Sequence, residues 1–464
     1  NNHATLVNYS PFEKQKEALS PHSHSIFTLK TSKREQKDLP MKCALVLSAA
    51  LGFVSMALAS DDLGGKGVME KLKPSVYQIK TSVSATAQKN SYGTGFVIDK
   101  EGILATNFHV VANAVTDENE FYHVYLVDKE NNLEGSIVGI DVVHDLALIK
   151  VKQQFASPLT FASSYPKQGA NIFSVGLPED VNMSIITGIY NDFTKNGAVY
   201  ENSHLSAPLN SGMSGGPTVN ERGEIIGVNV STLYHSQNIS FAVPKHYLVA
   251  LYAKAKKNKF KILEKDALNA EIAQQLNVAQ TELLKELKDG PKEKLDLPGW
   301  SIYSPPQTVR CWGERETDKK KTIEHDAQMC GIQQHVFLSH EVSSTYYEFS
   351  YTAIKNKKRN RFQFYDYVNK TQRQFMERLD SVAWKEPECF ETTITNNNKI
   401  PFRVKGCLSA FKPAYGKGLY RGFFNATSQM KGDEALTFRY KIVGFTKEGI
   451  KDSLQMHINS IAKR

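Results

Sequence analysis

The stretch Asn210-Ser211-Gly212-Met213-Ser214-Gly215-Gly216-Pro217 sets a serine among glycines. Glycine admits backbone conformations that side chains forbid, so amide N–H groups can converge on one point. A serine oxygen attacking a carbonyl needs such donors where the oxyanion develops. It also needs a base, and an acid that orients the base. Two upstream stretches offer these. In Thr106-Asn107-Phe108-His109-Val110-Val111-Ala112 the histidine follows the apolar run Ile103–Ala105, so His109 is expected at a strand end, where a loop can aim an imidazole into a cleft. In Asp141-Val142-Val143-His144-Asp145-Leu146-Ala147-Leu148-Ile149-Lys150-Val151 the apolar strand opens on Asp145, whose carboxylate therefore lies at a core edge and needs a partner. A lone histidine is more often structural, and a lone aspartate more often caps a turn. The three contexts together carry the reading: Asp145 orients the imidazole, His109 accepts the proton and Ser214 attacks.

The elements that must hold these residues are short. Strand-like runs occur at 76–81, 94–98, 103–106, 123–127, 137–140, 146–151, 171–175, 184–190, 224–230 and 239–243, separated by Gly, Asn, Asp and Pro. That pattern predicts an all-β sandwich or barrel. A short helix precedes Pro74, and an apolar helix after Pro244 closes a domain over residues 60–260. Residues 261–295 read as a helical linker or docking helix, with Leu268, Ile272 and Leu276 four apart. Residues 296–464 read as an α+β domain of unknown function. Its strand candidates are 346–352, 362–367 and 436–443, its helices 371–384 and 449–461, and its basic run 355–361 reads as a solvated hairpin tip.

Four blocks resemble the trypsin-like serine proteases, nearest the HtrA/DegP-like subgroup: Gly93–Ile98, Thr106–Val111, Asp145–Lys150 and Asn210–Pro217. Gly223–Asn229 and Ile239–Pro244 also fit, so the resemblance covers roughly residues 66–255. It implies two six-stranded barrels with His109, Asp145 and Ser214 in the cleft between them. It further implies an oxyanion hole from the backbone N–H groups of Gly212 and Ser214. By the same resemblance Ala207-Pro208-Leu209 line the base of the primary specificity pocket, and the absence of charge there favours a small or apolar residue before the scissile bond. Asn229, Val230 and Ser231 would form the edge that pairs with substrate backbone. Two departures stand out. Met213 precedes the serine where HtrA-like enzymes usually carry Asn, and it lacks the carboxylate that an inserted N-terminus would pair with in digestive trypsins. No Gly-Leu-Gly-Phe-like loop marks a PDZ domain after residue 260.

The 464-residue chain is 41% hydrophobic and 23% charged, ordinary for a globular protein, and its net charge of +9 favours anionic surfaces such as a cell envelope. No basic-aromatic motif points to nucleic acid. Met41-Lys42 leads into an apolar run ending Ala57-Leu58-Ala59, which reads as a signal peptide over residues 41–59. Residues 1–40 then form an upstream extension expected to be disordered, and the mature chain begins at Ser60. Export to a periplasm or the exterior agrees with Cys311, Cys330, Cys389 and Cys407, an even set that allows two disulfides in three pairings. A zinc site is disfavoured because no two cysteines form a ligand knuckle, and no metal or cofactor is expected. The expected substrates are polypeptides, unfolded ones included; oligomeric state is not legible. Two rivals remain. An α/β-hydrolase elbow would need a helix after Ser214, which Gly215-Gly216-Pro217 denies. A catalytically silent scaffold would leave recognition to the C-terminal domain.

Overall fold

Short strands broken by turn residues curl until they close. In this computed structural model, which describes residues 63–84, 90–117, 122–128, 131–178, 182–195, 200–232, 239–289, 294–306, 308–318, 320–332, 336–339, 342–373, 383–429 and 432–464, they close twice. Helix α1 (Gly64–Leu72) leads into the first barrel. That barrel comprises β1 (Val76–Ser82), β2 (Asn90–Asp99), β3 (Ile103–Thr106), β4 (His123–Asp128), β5 (Asn131–Asp141) and β6 (Leu146–Val151), in the order β1-β2-β3-β6-β5-β4. Helix α2 (Phe108–Thr116) follows β3 directly. The second barrel comprises β7 (Asn171–Gly176), β8 (Ser184–Thr194), β9 (Asn202–Ser206), β10 (Pro217–Val219), β11 (Ile225–Thr232) and β12 (Ser240–Pro244), in the order β10-β11-β12-β9-β8-β7. All pairings within the barrels are antiparallel, and bulges at Val97/Asp99, Ile137/Gly139 and Asn229/Ser231 let strands bend into closure. Closure leaves no open sheet edge.

Helix α3 (Lys245–Lys257) buries Leu248 and Leu251. Helix α4 (Lys265–Asp289) is more than a linker. Its Leu268, Ile272 and Leu276 join one apolar cluster with Phe108, Val111 and Val115 of α2, while Leu283 and Leu287 enter the core of the C-terminal domain. Apolar residues three or four apart, from Leu268 through Ala279 to Leu287, give the helix a stripe long enough to serve both cores.

The C-terminal domain is a seven-stranded antiparallel sheet. Its strands lie in the order Arg310–Thr317, Ile323–Gly331, Tyr346–Asn356, Glu434–Phe445, Tyr420–Ser428, Pro401–Ala410 and Glu388–Thr395. Cys311 pairs with Cys330 and Cys389 with Cys407, each disulfide tying an exposed outermost strand to its neighbour. Helix α6 (Lys447–Ser460) buries His457 against Tyr347, Phe349 and Tyr440.

Three expectations need correction. Residues 362–367 are not a strand but part of helix α5 (Arg361–Arg373): Phe364 and Val368, one turn apart, are buried while Phe362 is 86% exposed, a helical and not an alternating pattern. Of the helix expected at 371–384, residues 371–373 end α5, residues 374–382 lie outside the described residues, and Trp384 bridges to Phe411. The basic run 355–361 connects a strand to α5 and is no free hairpin tip, because Arg359 donates to Thr322 Oγ1 at 2.9 Å and Asp318 at 3.2 Å and lies over the Tyr367 ring. The extension at 1–40, the signal segment at 41–59 with Cys43 and the mature start at Ser60 lie outside the described residues. Among the described residues no helix is long and apolar enough to cross a membrane.

Candidate active site

Helix α2 begins one residue after β3 ends, with Asn107 in extended backbone as its N-cap. His109 therefore sits in the first helical turn, not on a loop at the strand end. Its neighbour in space is Asp145, the residue before β6. Asp145 holds φ +54, a left-handed conformation that Asp tolerates better than most residues and that turns the chain into β6. The aspartate is tied on all its acceptors. Its carbonyl takes Phe108 N–H at 3.1 Å and Asn107 Nδ2 at 2.8 Å, one carboxylate oxygen takes His109 N–H at 2.9 Å, and the other meets His109 Nδ1 at 2.6 Å. Asp145 is 2% exposed. A buried carboxylate is tolerable only with such partners. Burial by itself disfavours the imidazolium, but the charge and hydrogen bond of Asp145 outweigh it, so the pKa of His109 stands above the ordinary histidine value. With Nδ1 committed to Asp145, Nε2 is the nitrogen that can take up a proton.

The serine loop hangs between β9 and β10 and is pinned to the first barrel. Thr94 N–H donates to Ser214 C=O at 2.8 Å, and Thr94 Oγ1 donates to Gly212 C=O at 2.7 Å while accepting Leu177 N–H at 2.8 Å. Thr106 Oγ1 donates to the Thr94 carbonyl, joining β2 to the strand that leads to His109. Gly215 makes the approach possible. At φ +84 it occupies the region that favours glycine, and a Cβ there would lie 2.2 Å from the Thr94 carbonyl oxygen. Gly212 also has positive φ, at +82. Three of the loop's amides are engaged: Met213 N–H goes to Asn210 C=O, Gly215 N–H to Asn229 C=O and Gly216 N–H to Met213 C=O. Those of Gly212 and Ser214 have no acceptor among the described residues. Ser214 Oγ rests on the Val230 carbonyl at 3.3 Å.

Met213 is fully buried, its side chain against Gly176, so where it departs from the HtrA pattern it fills space with an apolar side chain. The pocket residues divide. Ala207 is fully buried in a small cluster of the second barrel with Ile172, Tyr190, Leu205 and Ala242, so its methyl is core and not open surface; Leu209 is half-buried and Pro208 exposed. Asn229 is likewise internal. Its side chain bonds Val175 C=O and Thr218 Oγ1, and both its backbone groups bond the serine loop. Pairing of β11 with β10 stops at Val228, so the edge beyond it consists of Val230 and Ser231.

Thr94, Thr106 and Asn107 had no role in the sequence reading, although they stand inside the blocks that carry the resemblance. Among the described residues no cluster of His, Cys, Asp or Glu could hold a metal ion.

Part of the chain is similar to known proteins. Residues 93–228 match the family described as the trypsin-like peptidase domain. The chain is 33% identical over 171 residues to the chloroplastic protease Do-like 5 of Arabidopsis thaliana, an overlap of 33% of this chain and 53% of that protein. It is 30% identical over 197 residues to the serine protease HTRA1 of Xenopus laevis, covering 38% of this chain and 40% of that one. Among solved structures, Deg5 is 29% identical with a TM-score of 0.34, covering 39% of this chain and 89% of its own. The chain thus spans about half or less of the curated relatives it matches. This region is a trypsin-like peptidase domain of the HtrA type.

Proposed function

We propose that this HtrA-type, trypsin-like domain makes the chain an exported serine endopeptidase with His109, Asp145 and Ser214 as its triad. The observation that carries the proposal is the double engagement of one Asp145 carboxylate by the backbone N–H and Nδ1 of His109, at 2.9 and 2.6 Å. That fixes both the tautomer and the direction of the imidazole. In the reaction, Ser214 Oγ leaves the Val230 carbonyl and attacks the scissile carbonyl carbon as His109 Nε2 takes its proton. The oxyanion accepts the N–H groups of Gly212 and Ser214, each worth about 3 kcal/mol at the transition state. The C–N bond then breaks, the imidazolium passes its proton to the leaving amine, and water hydrolyses the acyl-serine by the same steps in reverse. Pro208 and Leu209 beside the uncharged wall favour small or apolar side chains before the scissile bond, and Val230 and Ser231 supply the substrate-pairing edge. Polypeptides, unfolded ones included, are the substrates of this reading, and the basic chain would meet an anionic envelope surface.

Treatment of the protein with a fluorophosphonate probe tests the proposal. Ser214 is expected to be labelled, with labelling abolished in Ser214→Ala and reduced at least a thousandfold in rate in His109→Ala. A folded protein that takes no label would favour the silent scaffold, with recognition left to the C-terminal domain.

A further inference from the structure

Helix α4 lies outside the block that matches the peptidase family, yet it reaches both elements that carry the proposed acid and base. Its Leu268, Ile272 and Leu276 pack into the cluster that contains α2. Lys265 Nζ donates to the carbonyl of Asp117, the residue that caps the C-terminal end of α2, where a cation suits the free carbonyls. The more specific contact is made by Gln275. Its Oε1 accepts Val142 N–H at 2.7 Å, and its Nε2 donates to Ile140 C=O at 2.9 Å. These are the two groups that a neighbouring strand would bind, so the side-chain amide continues the pairing of β5 past its last strand partner. Val142 C=O in turn accepts Asp145 N–H, at 3.4 Å. One residue therefore links Gln275 to the proposed acid.

The turn is also braced from within, where the Asp141 carboxylate accepts His144 N–H at 3.1 Å and meets His144 Nδ1 at 2.7 Å while His144 stacks on Tyr247; Gln275 adds the bond that holds Val142 from outside the turn. Val142 is buried inward, but Asp141, Val143 and His144 border a crevice of about 710 Å³ that Gln275 and Tyr247 also line. Asp145 must meanwhile keep φ +54 for its carboxylate to meet His109 at all. A turn with space behind it and a left-handed residue at its end depends on fixed backbone bonds. Gln275 itself is held from its own helix, where Nε2 also donates to Glu271 Oε1 at 2.7 Å.

We infer that Gln275 is a positioning residue for Asp145, and that through it α4 and the C-terminal domain packed on α4 become part of the peptidase's working structure. The inference rests on the serine peptidase reading. It explains why a helix beyond the matched domain is built into the first barrel: the second domain sets how firmly the acid turn is held.

The test uses the full chain and a short chromogenic peptide, with rates normalised to the sites titrated by a fluorophosphonate. In Gln275→Leu, which keeps the side chain's bulk and removes both bonds, kcat per titrated site is expected to fall about tenfold with KM changed less than twofold, because misplacing a reacting group by about an ångström costs on that order or more. Gln275→Glu keeps an acceptor for Val142 N–H and is expected to recover part of the loss. An unchanged kcat per titrated site in folded Gln275→Leu overturns the inference, as does a rise in KM alone. Should the leucine variant not fold, Gln275→Glu decides: a normalised kcat within twofold of the parent overturns the inference, and a drop of threefold or more upholds it. Failure of the parent chain to react with the fluorophosphonate sinks the peptidase reading instead, so the two failures are distinct.

Discussion

Charge and hydrogen bonding at one side chain set the pH above which a histidine can act as a base. Burial pushes the His109 pKa down and Asp145 pushes it further up, with Asp145 the winner. The neutral base therefore predominates only above this raised pKa, and activity is expected to climb with pH through a midpoint above the ordinary histidine value and then level off. Asp145→Asn removes the charge that raises it. The midpoint of kcat/KM against pH should move down, with kcat lowered about 10³- to 10⁴-fold. An unmoved midpoint would show that Asp145 does not govern the imidazole.

The elements matter through what they pin. Thr94 of β2 clasps the serine loop with two hydrogen bonds, to Ser214 C=O and Gly212 C=O, and its hydroxyl also accepts Leu177 N–H from beyond β7. Thr94→Val keeps the β-branched shape that suits the strand and deletes the hydroxyl, leaving Leu177 N–H and Gly212 C=O without that partner. A loss of about 1–3 kcal/mol in unfolding free energy is expected by denaturant titration. The fluorophosphonate rate should fall as well, since Gly212, whose N–H is proposed to meet the oxyanion, would lose the anchor on its carbonyl. A variant as stable and as reactive as the parent would show that the loop holds itself. The loop between Asp141 and Asp145 follows the same logic, except that its clamp, Gln275, comes from a helix 130 residues further along the chain.

At the scale of the molecule, the two cores are joined through α4, and the second core contains a titratable group that must stay neutral. His457 is fully buried, accepts or donates to Tyr351 Oη at 2.8 Å and contacts Tyr347 Oη, and burial drives its pKa from 6.5 to about 3. A histidine whose folded pKa is depressed stabilises the fold above its unfolded pKa. That stability is lost as pH falls below about 6.5 toward about 3, because the unfolded chain then binds a proton the folded one refuses. The slope is about 1.4 kcal/mol per pH unit across the window. Unfolding free energies from pH 7 to pH 4 should therefore fall more steeply for the parent than for His457→Gln, by about that slope. Parallel curves would mean that the imidazole is protonated without cost in the folded state.

Much of the site could be read from residue types and order. His109, Asp145 and Ser214 each stand in a context that predicts a strand end, a core edge or a glycine turn, and these local signals depend on a few adjacent residues. Strand length and turn chemistry, being local, pointed only to a sandwich or barrel; two six-stranded barrels were what the resemblance to trypsin-like proteases implied, and the strand pairing shows both closed. The aromatic run at 362–367 misled because aromatic content suits both strands and helices, and only burial period separates them. Ala207 and Asn229 could not be placed from sequence, because whether a small or polar residue faces a pocket or the core depends on which strand packs over it. The cystine pairing needed register: three arrangements were open until the hairpins set Cys311 beside Cys330 and Cys389 beside Cys407. Gln275 gave no signal at all, being one polar residue on an amphipathic helix. Residue types and their immediate neighbours were enough to nominate the groups proposed for the chemistry, because reactivity is a local property. Only the tertiary structure decided what holds those groups in place, because a hydrogen bond across 130 residues exists only once two distant elements have packed.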